Sequence, residues 1–239
     1  MEWRDHGIVL AARRHGERSF VVDVLTQDHG RHAGLIRESG KNAALVQPGT
    51  DVQAQWRARL ADHMGHWTLE SIKVRAAGCL DDPLRLAGLA AATAVTQAFL
   101  AERQPHPQIF AALTILLDAI SADGFWPALY VRYELGLLSE LGFGLDLSQC
   151  ALSEVTEDLA YVSPRTGRAV SRDAGAPWAD KLLNLPGFLT GRAGFEADRG
   201  AIFDGLALTG HFLERHMPDL ARARIEEVRG RLTQRLQQL

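Results

Sequence analysis

The sequence predicts an α+β protein of more than one domain: an N-terminal five-stranded β-barrel of the OB type, then a mainly α-helical part with an inserted β-hairpin. Three observations predict it. Before residue 80 the apolar residues fall in short, often alternating runs, broken by turn residues about every ten positions. At Asp81-Asp82-Pro83 the pattern turns helical, with Asp suited to the N-cap and Pro to the first helical position. Over residues 145–175 the helical pattern lapses, and two short runs flank the turn Pro164-Arg165-Thr166-Gly167. The expected domains are 1–79 and 80–239.

The first strand is expected over residues 7–11, running into Arg13-Arg14-His15-Gly16. The second covers 19–26 and ends in Gln27-Asp28-His29-Gly30; the third covers 31–37. Residues 52–60 alternate as a half-buried strand should, and 67–74 form the fifth after Asp62-His63-Met64-Gly65. Five strands at this spacing fit an OB barrel, and a small SH3-like barrel also satisfies the pattern. Helices are expected over 84–103, 108–122 and 127–141, then a short one over 178–185 before Pro186-Gly187. The hairpin occupies 159–163 and 168–171, and two closing helices cover 201–216 and 219–239.

Composition narrows the function classes. At 46% hydrophobic and 23% charged, the 239 residues are ordinary for a soluble globular protein. No apolar run approaches the ~20 residues of a membrane helix, and the first residues lack a signal-peptide core. A cytoplasmic protein is expected. Cys79 and Cys150 are too few for a disulfide framework or a thiolate zinc site. The net charge of −3 argues against bulk nucleic-acid affinity, but it is unevenly placed. Residues 1–78 hold 11 Lys/Arg against 9 Asp/Glu and six of the nine histidines, while the remainder holds 15 against 20. That asymmetry suggests a localised anion site.

Catalytic motifs are missing from the sequence. There is no phosphate-binding Gly-rich loop, and Gly142-Phe143-Gly144 lacks the third glycine of a dinucleotide site. His29/His32 and His63/His66 have no nearby cysteine pair, and no nucleophile elbow occurs. No enzyme, cofactor or metal is expected. The basic residues are more informative. Arg13, Arg14 and Arg18 bracket the first hairpin turn, Arg31 and Arg37 bracket the third strand, and Lys41 lies in the loop after it. Arg57 shares a strand face with Arg59. Such residues on strand ends and loops can neutralise phosphates. Phe20, Trp56 and Trp67 are candidates for base stacking, with burial in the core as the competing reading.

These residues carry a family resemblance. Gly7-Ile8-Val9-Leu10, Gly16-Glu17-Arg18-Ser19, Val24-Leu25-Thr26 and Gly30-Arg31-His32 resemble the N-terminal barrel of the RecO recombination mediators. Residues 133–138 and 141–150 are similar to that family's central helix and its exit, and residues 161–170 to the hairpin that follows. The resemblance spans residues 5–215 and implies a non-enzymatic DNA repair and recombination protein. Such a protein binds single- and double-stranded DNA, anneals complementary strands and works with RecR, with RecF as a further partner. It engages the acidic tail of single-stranded-DNA-binding protein and so helps load RecA. For that tail, Arg103, Arg132 and Lys181 are the candidate basic rim of a groove on the helical part. The alternative is a protein–protein adaptor whose barrel is only structural. The chain departs from the family in two places. Of a four-cysteine zinc site found in some members only Cys150 remains, with Ser153, Ser171 and Ala174 elsewhere. The hairpin is then expected to be held by packing of Tyr161, Val170 and Trp178. Residues 37–42 also lack the family's Arg/Gly/Ser richness.

Overall fold

Strand β1 (Glu2–Arg14) is much longer than its apolar run suggested, because its two halves serve different neighbours. Glu2–Ile8 pairs with β4 (Thr50–Arg57), and Gly7–Arg14 pairs with β2 (Ser19–Thr26). The computed structural model describes residues 1–37, 44–60, 63–122, 125–191 and 197–238. Strand β3 (Gly30–Arg37) continues antiparallel from β2, and β5 (Gly65–Val74) pairs antiparallel with β4. A short parallel contact, Gly34↔Gly65 and Leu35↔His66, closes the barrel in the order β1-β2-β3-β5-β4. This Greek-key order with one parallel pair is that of an OB barrel and sets aside the SH3-like option.

The barrel core is built from Val9, Val22, Val24, Val52, Ala54 and Leu69 around Trp56 and Trp67. Two glycines make room for the indoles. A Cβ on Gly65 would lie 2.2 Å from the Trp56 ring, and one on Gly34 2.6 Å from the Trp67 ring. Both indole N–H groups are satisfied by backbone carbonyls, Trp56 Nε1 by Ala33 (3.3 Å) and Trp67 Nε1 by Val22 (3.0 Å). Trp56 and Trp67 are therefore core residues, and neither is available to a base.

By packing, the chain forms two units, 1–124 with 218–239, and 125–217. In the first, Asp82 caps α1 (Pro83–Phe99), accepting from the N–H groups of Leu84 (3.0 Å) and Arg85 (3.1 Å). Helix α1 stops short of the expected residue 103, because Glu102 bridges to Arg31 on β3 and the Arg103 N–H donates to the Arg31 carbonyl (2.8 Å). The buried Arg75 ties the barrel to α2 (Pro107–Ser121). It donates to both Asp51 oxygens (2.6 and 2.8 Å) and, through Nε, to Asp118 (2.8 Å). Removing one partner of such a network costs about 3–5 kcal/mol, because the other charge is left buried. Helix α6 (Asp219–Gln237) lies on α1 and buries Ile225, Leu232 and Leu236.

The second unit packs α3 (Pro127–Glu140) against α5 (Arg199–His216), where the Thr209 hydroxyl donates to the buried Glu134. Beside them, β6 (Leu159–Val162) and β7 (Ala169–Ser171) form the expected hairpin. The segment read as a helix over 178–185 is different. After α4 (Arg172–Gly175) a tight helical turn, Ala176–Lys181, gives way to β8 (Leu183–Asn184), which fills the open edge of β6. Trp178 is exposed and does not hold the hairpin, while Val170 is buried and Tyr161 half-buried. Polar contacts add to that packing. The buried Cys150 sulfur accepts from the N–H of Ser171 (3.3 Å) and of Leu152 (3.4 Å), and the Ser153 and Ser171 hydroxyls lie 3.5 Å apart. Burial pushes the Cys150 thiol up, and the Ser153 and Ser171 donors more than offset this, bringing it to about 6.

Candidate nucleic-acid interface

Strand register sorts the predicted basic residues into two groups. Arg14 faces Phe20 across the β1–β2 ladder, Phe20 faces Ile36, and Ser19 faces Arg37. Arg13, Arg14, Arg18 and Arg37 thus gather where β1 and β3 end and the 15–18 turn begins. The turn is tight, with His15 N–H donating to the Ser19 carbonyl (2.8 Å) and Gly16 in the left-handed region at φ 65°. All four arginines are exposed. The Arg14 guanidinium lies over the Phe20 ring, 5.5 Å from its centroid, so Phe20 serves as a shelf for an arginine. Glu17 is the acidic residue of this turn.

Arg31 and Arg57 lie elsewhere. Arg31 is six residues up β3 from Arg37, roughly 20 Å along the strand. Its side chain is 16% exposed and engaged three ways: with Asp23 (2.8 Å), the Leu100 carbonyl (2.9 Å) and Glu102 (3.6 Å). Arg57 is exposed but forms a two-pronged pair with Glu2, at 3.0 Å from Nε and 2.9 Å from Nη2. Lys41 falls outside the described residues.

Of the three residues expected to rim a peptide groove, Arg132 and Lys181 belong to the second unit and Arg103 to the first. Arg132 on α3 lines a mixed polar and apolar groove of about 660 Å³ with Ser139, Leu135, Leu145, Leu147, Phe188 and Leu189. Its guanidinium is held by the Phe188 carbonyl (2.9 Å) and lies 5.9 Å from that ring's centroid. Lys181 does not line this groove and sits over the Trp178 ring instead. Arg103 belongs to the first unit, with a backbone φ of 64°.

The part played by Trp3 went unnoticed in the sequence. Trp3, His29 and His32 join Trp56 and Trp67 in a set of ring contacts at the end of the barrel away from the Arg13, Arg14, Arg18 and Arg37 cluster. The available signal was Trp3 itself, four residues before the first apolar run. No helix among the described residues is long and apolar enough to cross a membrane.

Comparison with known proteins agrees with this architecture. Residues 1–75 match the family model "Recombination protein O N terminal", and residues 80–223 match "Recombination protein O C terminal". The chain is 49% identical over 239 residues to the DNA repair protein RecO of Rhodospirillum centenum, covering 98% of this chain and 94% of that one. It is 51% identical over 224 residues to DNA repair protein RecO of Rhodospirillum rubrum, covering 91% and 89%. With DNA repair protein RecO of Cereibacter sphaeroides the identity is 47% over 234 residues, 97% of each chain. An OB barrel closed by a parallel β3–β5 pair, a helical remainder with a hairpin, and near full-length identity of about one half lead to one conclusion: the chain belongs to the RecO family.

Proposed function

We propose that this chain acts in DNA repair as a non-enzymatic recombination mediator. It binds single- and double-stranded DNA, anneals complementary strands and helps load RecA onto DNA coated by single-stranded-DNA-binding protein. RecR is its working partner, with RecF as a further one. The observation that carries this reading is the gathering of Arg13, Arg14, Arg18 and Arg37 at one barrel end, on a chain of negative net charge. In this reading residues 1–79 are the DNA-binding domain, and Lys41, the next basic residue in sequence after Arg37, is a further phosphate contact. Arg31 and Arg57 contribute less, because carboxylates already hold them. Annealing follows if phosphates of two strands are neutralised together while the base edges stay free to pair.

The helical remainder takes the second task. The groove beside Arg132 suits an acidic peptide ending in apolar residues: its wall carries four leucines and Phe188, and its polar side chains are Arg132 and Ser139. The tail of single-stranded-DNA-binding protein has that chemistry, with Lys181 as an outlying contact.

Salt-dependent DNA binding tests the barrel's role. Four phosphate contacts on a single strand give log K against log salt a slope of about −3. Reversing Arg13, Arg14 and Arg18 to Glu together should weaken binding at low salt more than tenfold and flatten that slope by about 2. Unchanged affinity and slope would reject the site. Absence of DNA binding by the unaltered chain, with the tail peptide still bound, would favour the adaptor reading.

A further inference from the structure

The barrel end away from the arginine cluster holds an aromatic assembly that phosphate binding does not use. Trp3, at the start of β1, faces Trp56 of β4 in register. The two rings stack with centroids 5.6 Å apart and planes 20° from parallel. His29, in the turn after β2, stacks on Trp3 more closely, at 4.1 Å and 3°. His32 and Trp67 meet Trp3 edge-on at 4.9 and 5.6 Å. Trp3 is thereby boxed in by the barrel, and His29 forms the outer end of the stack. With one face on Trp3, its side chain is still 38% exposed.

The histidine ring is also held from behind. Asp5, whose side chain is 5% exposed, accepts through Oδ2 from the N–H groups of Asp28 (2.9 Å) and His29 (3.2 Å) and from the His29 ring at Nδ1 (2.9 Å). A carboxylate only accepts, so Nδ1 carries the proton and the ring is fixed in tautomer and in plane. The turn needs only the two backbone donors. The ring contact and the stack add a preorganised aromatic face at the protein surface.

We propose that His29, backed by Trp3 and Trp56, is a stacking platform for an unpaired nucleobase. The inference rests on the reading that the barrel binds DNA and adds a contact specific to single strands. An exposed π-face accepts any base, whereas a duplex keeps its base faces covered by their neighbours. The platform lies at the far end of β2 from the arginine turn, roughly 25 Å along the strand. That span falls within the roughly 4–16 nucleotides that one OB fold covers. Phosphates at the arginine turn and a base on His29 would hold one strand at both ends of the barrel.

Binding of the full chain to a dye-labelled oligothymidylate and to a duplex of equal length, followed by anisotropy over several salt concentrations, tests this. His29→Ala should lose roughly tenfold to a hundredfold in affinity for the single strand. Its salt slope and its duplex affinity should match the unaltered chain. His29→Phe, which keeps a flat ring, should restore single-strand binding. Equal losses on both DNAs, a changed salt slope, or failure of His29→Phe to restore binding would each overturn the platform. An unchanged His29→Ala would do the same while leaving the arginine site intact. An unaltered chain that binds neither DNA would instead overturn the DNA-binding reading itself.

Discussion

His32 is the residue whose surroundings differ most from what its place in the sequence suggests. It sits on β3 just after an exposed turn, yet it is buried against Trp3 and Trp56. Burial, and after it the nearby Arg103, His29 and Arg31 charges, bring its imidazole down to about 4 despite a hydrogen bond to the Gly30 backbone carbonyl that acts the other way. In the unfolded chain the same group titrates near the ordinary histidine value of about 6.5. A depressed folded value means that stability is complete above that ordinary value and is lost as pH falls toward 4. The loss is on the order of 2–3 kcal/mol. A His32→Phe variant should keep its melting temperature nearly flat from pH 7 to 4.5, where the unaltered protein falls by several degrees. Asp118 adds a second, more acidic window. Burial raises its carboxyl, and hydrogen bonds from Lys73 and Arg75 more than reverse this, leaving it below the usual aspartate range. Its contribution is present above that range and lost as pH falls through its own lower value.

Elements show which parts of the site were legible and why. The five strands and the Asp82 cap follow from alternation and local chemistry, which a single sequence carries. The arginine turn was legible for the same reason, since Arg13, Arg14 and Arg18 lie next to one tight hairpin. The contacts that local pattern does not show mostly involve distant partners. Arg31 looked like a strand-end cation, but its carbonyl partner Leu100 lies 69 residues away. Arg57 looked free, but Glu2 lies 55 residues away, on the strand that pairs with it. Leu183–Asn184 became a strand because β6 had an open edge, which no local pattern announces. Arg31 therefore fastens β3 to the end of α1, and its replacement has a different signature from that of the exposed arginines. Arg31→Ala should lower stability by about 1–3 kcal/mol, through lost charged hydrogen bonds and an unpaired Asp23. Its DNA salt slope should stay within error of the unaltered value. A slope reduced by nearly a full phosphate, with unchanged stability, would return Arg31 to the DNA site.

In the whole molecule, chain order and packing divide the protein differently. The family models meet between residues 75 and 80, whereas packing joins α1, α2 and α6 to the barrel and sets α3 to α5 apart. The buried Arg75 network and the α1–α6 contact produce that grouping, and both depend on residues far apart in sequence. Family membership was legible because it rests on the order of many short stretches. The assignment of Arg103 and Arg132 to different packing units was not, because it depends on which helices pack together. If the barrel's arginines hold strands while the second unit engages the tail peptide, the protein should act on coated DNA and not only on bare strands. The most direct measurement follows fluorescence transfer between complementary oligonucleotides coated with the cognate single-stranded-DNA-binding protein. Added protein should speed duplex formation, added salt should abolish the gain, and the triple Arg13/Arg14/Arg18→Glu variant should show little of it. Annealing that the folded protein does not accelerate, or that the triple variant accelerates equally, would contradict the mediator reading.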